Sequence, residues 1–286
     1  MFSNSNDSAR TPGPTPSAPR NIAVLIATHE PDRSLELLID LLIEAQISAI
    51  LLVDDGTRAE RRRVFERIAM QPTVHLLRHD RCEGKGVALK TGIRYFLRHF
   101  RHYEGLVTAE ACSPKTAEDI VCIVRALHRA PHLAILGSRR FRQDMDSYIG
   151  WSERLGNRAM AFLFRALTGV PVEDTQTGLR GLPTDLLPQL LELPGNRYDY
   201  GMATLMHIAR SGYPLAEQSV SPVSHDGNGD QAFRRVRDSF GVLSAMLCAP
   251  KPVSCCPEFG ERPEIGVPAE KHWNPAKAIA PSGPLL

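Results

Sequence analysis

Asn21–Asp55 reads NIAVLIATHEPDRSLELLIDLLIEAQISAILLVDD, and its periodicity decides the fold. Ile22–Ala27 is an unbroken apolar run, short enough for a strand and lacking the alternation of a half-solvated one. Such a run suits a parallel strand buried on both faces. From Ser34 to Ala45 the spacing changes, with Leu35, Leu38, Ile39 and Leu42 on one helical face. Ile47–Val53 is again apolar and ends on Asp54-Asp55-Gly56. Strand, amphipathic helix, strand is a βαβ unit, whose crossover makes its two strands parallel.

The alternation continues outward from this unit. Arg58–Met70 reads as a charged helix, Thr73–Leu77 as a third strand and Gly84–Phe100 as a helix opening on glycines. Gly105–Ala109 is a fourth strand, Thr116–Arg129 a helix and Leu133–Gly137 a fifth strand. Trp151–Leu167 is helical in pattern, with Leu155, Ala159, Phe162, Leu163 and Ala166 forming its apolar face. A polar loop, Glu173–Gly178, enters Leu179–Leu182; Tyr200–Arg210 reads as helix and Tyr213–Val220 as strand. Ala232–Leu247 is amphipathic and opens on Arg234, Arg235 and Arg237, suited either to packing on its own domain or to a membrane surface. The expectation is an α/β fold, Rossmann-like, with a mostly parallel sheet flanked by helices.

Composition narrows the class. The 286 residues are 43% hydrophobic, enough for a full core in a domain spanning 21–248. A formal net charge of +2 excludes wholesale nucleic-acid binding. The chain has no run of the ~18 apolar residues that a transmembrane helix needs. Residues 1–20, rich in Ser, Pro, Asn and Thr, read as a disordered leader, and 249–286 as a loose, Pro-rich tail. The six cysteines form no Cys-x-x-Cys pair, so no structural zinc site is expected. With no export signal, reduced thiols in the cytoplasm are the default.

Parallel α/β sheets bind ligands at the carboxyl ends of their strands. Thr28, His29 and Glu30 follow strand one, Asp54 and Asp55 strand two, Glu110 and Cys112 strand four, and Ser138 and Arg139 strand five. Each motif has a plain reading beside its chemical one. Asp54-Asp55-Gly56-Thr57 would accept hydrogen bonds from a base or ribose, or would form a turn and cap the next helix. Glu83-Gly84-Lys85-Gly86 would cradle a phosphate on backbone N–H groups, or is a glycine-rich turn with a solvated lysine. Arg139, Arg140 and Arg142 would grip a diphosphate, or form a solvated basic loop.

Taken in order, the motifs resemble glycosyltransferase family 2, and within it the dolichyl- or polyprenyl-phosphate sugar transferases. The carrying stretches are VLIATHEP (Val24–Pro31), VDDGT (Val53–Thr57), GKGVAL (Gly84–Leu89), VTAEA (Val107–Ala111), LGSR (Leu136–Arg139), SERLGNR with Asn157, DTQTGLR (Asp174–Arg180) and FRRVRDS (Phe233–Ser239). The resemblance implies a GT-A fold, a nucleotide-diphosphate sugar donor and a Mg²⁺ or Mn²⁺ ion. By resemblance, Thr28, Glu30 and Asp55 lie around the base and ribose with Asp54 in support, and Lys85 lies near the nucleotide. Glu110 matches the first acid of the metal-binding Asp-x-Asp motif. Asp174 and Gln176 line the sugar side, while Arg139 and Arg234 suit the diphosphate or a lipid phosphate.

Four departures fall on chemistry. The second metal-binding acid is replaced by Cys112, the polar residue two places later by Pro114, the acid expected after Tyr198-Asp199-Tyr200 by Gly201, and the late Ser-His-Phe by Gln231-Ala232-Phe233. The leading expectation is an inverting transfer of a sugar to a polyprenyl-phosphate or saccharide acceptor in glycan or polysaccharide biosynthesis, with peripheral membrane contact at the cytoplasmic face. The rival is a scaffold or regulatory partner that keeps the fold without the chemistry. A nucleotidyltransferase, which shares the nucleotide-binding plan, is a more distant third.

Overall fold

The computed structural model describes residues 21–110, 116–139 and 151–221, with backbone only for 151–155. The expected leader and tail, position 112, Pro114, Arg140, Arg142, Arg234 and the amphipathic stretch 232–247 lie outside the described residues.

Seven strands form one sheet: β1 (Ile22–Thr28), β2 (Ile50–Asp54), β3 (Val74–Arg78), β4 (Gly105–Glu110), β5 (Ala134–Arg139), β6 (Arg180–Pro183) and β7 (Leu215–Val220). Their order across the sheet is β3-β2-β1-β4-β6-β5-β7. Every neighbouring pair is parallel except those made by β6, which runs antiparallel to both β4 and β5. The mostly parallel expectation holds, and the reversal of β6 has a local consequence. Arg180, its first residue, pairs with Thr108 of β4 and Leu136 of β5. The loop preceding β6 therefore lies beside the carboxyl ends of β4 and β5.

The helices are α1 (Ser34–Glu44), α2 (Arg63–Ala69), α3 (Lys85–His99), α4 (Thr116–Arg129), α5 (Trp151–Thr168), α6 (Leu187–Leu191) and α7 (Asp199–Arg210). Alternate residues of β1 face opposite layers, as a strand's two-residue period requires. Ile22, Val24 and Ile26 pack with Leu35, Leu38, Ile39 and Leu42 of α1 and with Ile120, Ile123, Val124 and Leu127 of α4. Ala23 and Leu25 face Ala88, Ile93 and Phe96 of α3, Leu187 and Leu190 of α6, and Ile208 of α7. A third cluster joins Leu136 of β5 to Phe164 of α5 and to Met202, Leu205 and Met206 of α7.

Two elements differ from their expected form. The charged helix begins five residues later than the pattern suggests, at Arg63, after a 3₁₀ turn over Ala59–Arg61. Arg58 is held extended at φ −61°, ψ 148°, and its backbone N–H donates to Glu30 Oε1 at 3.0 Å. In α5 the apolar face predicted from spacing is not the one that turns inward. Phe162 is 76% exposed, whereas Phe164 is fully buried and Asn157 donates to the carbonyl of Glu173. The pocket of Leu136, Met202, Leu205 and Met206 selects the Phe164 side. Helix α6 is too short for its period to be read and was not anticipated.

Candidate active site

The expected residues gather at the carboxyl ends of the parallel strands, where two linked clusters form. The first binds the ends of β1 and β2 together. Asp54, fully buried, accepts from the backbone N–H of Thr57 at 2.9 Å and from Arg78 Nε at 2.9 Å. Asp55 accepts from the backbone N–H groups of Glu83 and Gly84, each at 2.9 Å, from the Cys82 thiol at 3.4 Å, and lies 2.9 Å from His79 Nδ1. Burial alone would push the Asp55 carboxyl up, but these donors outweigh it and hold the group below its ordinary value. The burial and the Asp55 carboxylate together push the Cys82 thiol up, so it is not an activated nucleophile.

Glu30 sits at φ 52°, a left-handed conformation rare outside glycine. Its N–H donates to Thr57 Oγ1 at 3.1 Å, and its carboxylate pairs with Arg58 at 3.0 Å and Arg61 at 3.2 Å. The Arg58 bond is foremost in holding Glu30 down to about 2. Of the readings of Asp54-Asp55-Gly56-Thr57, the turn is realised in the geometry and the helix cap is not: the next helical turns begin at Arg58 and Arg62 with no side-chain cap, and both carboxylates serve other donors of the protein.

The helix α3 tells a similar story. Gly84 lies at φ 109°, and a Cβ there would stand 2.4 Å from the carbonyl oxygen of Asn196. That carbonyl accepts from the N–H groups of Gly86 at 2.9 Å and Val87 at 3.3 Å, while Ala88 donates to Gly84 at 3.0 Å. Of the amides expected to cradle a phosphate, those of Glu83 and Gly84 are spent on Asp55 and that of Gly86 on a neighbouring loop. The Lys85 ammonium remains as the cationic group there, with its Nζ 5.3 Å from the centre of the Tyr198 ring.

The second cluster spans β4, β5 and the loop before β6. Lys85 Nζ forms an ion pair with Glu110 Oε1 at the end of β4. Gly178 passes so close that a Cβ on it would be 2.2 Å from that same oxygen. Its carbonyl accepts from Thr108 Oγ1 at 3.0 Å. At the end of β5, Arg139 grips Asp174 with both arms of its fork, at 2.6 and 3.2 Å. Asp174 is fully buried and also accepts from the Gln176 N–H at 3.1 Å. Thr28, Glu30, Asp54 and Asp55 thus fall in the first cluster, and Lys85, Glu110, Arg139, Asp174 and Gln176 in the second.

Sequence reasoning passed over Arg180 except as the last letter of a motif. The residue is 5% exposed, and its guanidinium donates Nε–H to the Thr177 carbonyl at 3.0 Å and Nη1–H to the Gly201 carbonyl at 2.6 Å. Burial pulls it down to about 10, against the opposing pull of Asp174 and Glu110. A charge inside the otherwise apolar run Leu179–Leu182 was the signal: such a residue is rarely interior without a purpose.

Among the described residues the donor set fits a divalent metal poorly. Mg²⁺ and Mn²⁺ take several hard oxygen ligands at once. Among the described residues no group of three or more His, Cys, Asp or Glu is placed to hold a metal ion, and the Glu110 carboxylate is engaged by an ammonium. Among the described residues the site gathers three cations, Lys85, Arg139 and Arg180, around the carboxylates of Glu110 and Asp174.

No protein-family model matches the chain. It is 24% identical over 175 residues to an uncharacterised protein of Methanocaldococcus jannaschii, covering 61% of this chain and 70% of that one. It is 22% identical over 224 residues to the UDP-N-acetylglucosamine–dolichyl-phosphate N-acetylglucosaminyltransferase of Methanococcus voltae, covering 72% of this chain and 87% of the relative. Among solved structures, it superposes on glucosyl-3-phosphoglycerate synthase from Mycobacterium tuberculosis, in complex with Mn²⁺, UDP and glucosyl-3-phosphoglycerate, with a TM-score of 0.59. Sequence identity there is 14%, over 81% of each chain. The same synthase with Mn²⁺, UDP and phosphoglyceric acid gives a TM-score of 0.58 at 15% identity, over 81% of this chain and 80% of that one. The seven-stranded, mostly parallel sheet with its flanking helices is thus the GT-A fold of the glycosyltransferases.

Proposed function

We propose that the protein is an inverting, family 2-type glycosyltransferase that moves a sugar from a nucleotide-diphosphate donor to a phosphate-bearing acceptor, with a polyprenyl phosphate as the leading class. The carrying observation is the cluster at the ends of β4 and β5, where Lys85 meets Glu110, Arg139 meets Asp174, and Arg180 lies within electrostatic reach of both carboxylates. In such a transfer an acceptor oxygen attacks the anomeric carbon while the bond from that carbon to the donor's diphosphate breaks. The electron pair leaves on the diphosphate, so the charge to be stabilised develops there. Lys85 and Arg139 are the cations positioned for it, and Asp174 and Gln176 line the sugar side. A relative named for a dolichyl-phosphate acceptor and a neighbour bound to phosphoglyceric acid support the phosphate-bearing class.

A divalent ion would supply further charge neutralisation on the diphosphate in enzymes of this type. The Glu110–Lys85 pair leads us to assign that work to the protein's own cations. The same pair also favours the rival reading, a scaffold that has lost its chemistry. Calorimetric titration of the full chain with UDP-N-acetylglucosamine, UDP-glucose and GDP-mannose, in Mn²⁺, in Mg²⁺ and in EDTA, separates these outcomes. We expect one donor to bind with affinity that survives EDTA and falls about tenfold or more in Lys85→Met, the loss of a charge-assisted contact. Binding abolished by EDTA overturns the assignment to lysine. Absence of binding by any donor overturns the enzyme reading for these substrates.

A further inference from the structure

Asp174 is fully buried, so its backbone N–H cannot turn to water and needs an acceptor within the protein. That acceptor is Glu217, half-buried on β7. Glu217 Oε1 accepts from the N–H of Glu173 at 3.0 Å and from that of Asp174 at 3.4 Å. From another side, Asn157 of α5 donates Nδ2–H to the Glu173 carbonyl at 3.4 Å. The Glu173 carbonyl and the Asp174 N–H belong to one planar peptide unit, which is therefore held at both ends. Asp174 Cα closes that unit, and its carboxylate reaches from there to Arg139 and to the Gln176 N–H. The surroundings of Glu217 do not favour a carboxylate. Burial pushes its carboxyl up, the two amides pull it back, and the neighbouring Glu173 charge pushes it up again. An acid kept in such a place, and used by no step of the chemistry, calls for a reason.

We propose that Glu217 is a positioning residue of the site: it fixes the Glu173–Asp174 peptide so that the Asp174 carboxylate meets the Arg139 fork. The inference rests on the transferase reading, in which that pair faces the donor, and adds to it a residue that acts through another. The sheet makes this possible. Strand β7 lies parallel to β5, with Glu217 opposite Leu136 and Val220 opposite Arg139. Glu217 and Arg139 thus reach the same loop from adjacent strands, one taking its backbone and the other its side chain. What the two amides require is an oxygen at the end of a side chain of this length. Shortening it by one methylene withdraws that oxygen by about 1.5 Å, beyond hydrogen-bonding range.

The test sets reach against charge. Glu217→Gln keeps the reach and an accepting oxygen and loses the charge, whereas Glu217→Asp keeps the charge and loses the reach. Both full-length variants are titrated by calorimetry with whichever of UDP-N-acetylglucosamine, UDP-glucose and GDP-mannose the wild type binds most tightly. We expect Glu217→Gln to bind that donor within about threefold of wild type, and Glu217→Asp to bind it about tenfold or more weakly. The opposite order overturns the proposal by giving the effect to the charge. Loss in both variants, or in neither, overturns it too. In an Asp174→Asn background, Glu217→Asp should cost a further twofold or less, about the scatter of such measurements, because two residues acting through one contact are not additive. The full loss in that background overturns action through Asp174. With a donor bound by the wild type, either failure sinks this inference and leaves the transferase reading standing. A wild type that binds none of the donors sinks that reading, and the same comparison is then made on denaturant midpoints. A midpoint lower in Glu217→Asp than in Glu217→Gln, with the deficit gone after Asp174→Asn, supports the positioning role. Equal midpoints, or a deficit that persists, overturn it.

Discussion

Asp174 and Arg139, proposed for the site, also hold the fold together. The carboxylate is fully buried and the arginine side chain is one-quarter exposed, with two hydrogen bonds between them. Removing one partner of a buried pair leaves the other desolvated without its counter-charge. Asp174→Asn keeps the shape and deletes the charge, so it should cost about 2–3 kcal/mol in denaturant unfolding. An unchanged midpoint would mean that solvent already compensates Arg139. At this scale the sequence pointed to strand-end side chains more readily than to their partners. Asp54 and Asp55 were legible as a strand-end acid pair, but their choice between ligand and turn depended on His79, Cys82 and the amides of residues 83 and 84. Those donors lie on a separate turn some 25 residues further along, and no local pattern announces them.

At the scale of elements, spacing predicted strands and helices wherever they were buried on a single, continuous face. The first βαβ unit is of this kind. Position 92 shows how tightly α3 then seats on β1: a Cβ there would stand 2.2 Å from Cδ1 of Leu25, which is fully buried in the core. Gly92→Ala should therefore destabilise by about 1–3 kcal/mol through overpacking, although alanine is the better helix former by about 1 kcal/mol. A rise in thermal midpoint would contradict this packing. Spacing failed on α5 because that helix carries apolar residues on more than one side, and only the tertiary pocket chooses between Phe162 and Phe164. It also gave no direction for β6, since four residues lying between parallel neighbours carry no mark of reversal.

Across the whole molecule, the balance of buried titratable groups sets how stability responds to pH. Asp119 of α4 accepts from the Ser221 N–H at 3.0 Å just beyond β7, and burial pushes its carboxyl up to about 6 from 3.8. Below the lower value both folded and unfolded chains hold the proton. Between the two, folding takes up a proton that the unfolded chain has released, so stability declines as pH rises. Above about 6 the folded protein carries the buried charge and the loss is complete. Glu217, also raised by burial, acts in the same direction. Asp119→Asn retains an oxygen for Ser221 and removes the titration. Its stability advantage over wild type should grow between pH 4 and 7 by on the order of 2 kcal/mol. A constant difference across that range would remove Asp119 from the account.

The carbonyl of Asn196 has a consequence that reaches across these scales. It fastens the start of α3 to the loop leading into α7, and the Lys90 ammonium adds bonds to the carbonyls of Leu193 and Gly195 in the same loop. Lys85 stands on one side of this seam and Gly201 one helical turn beyond the other. The starts of the two helices are thus tied through one peptide oxygen, so a change in the 193–196 loop reaches both at once.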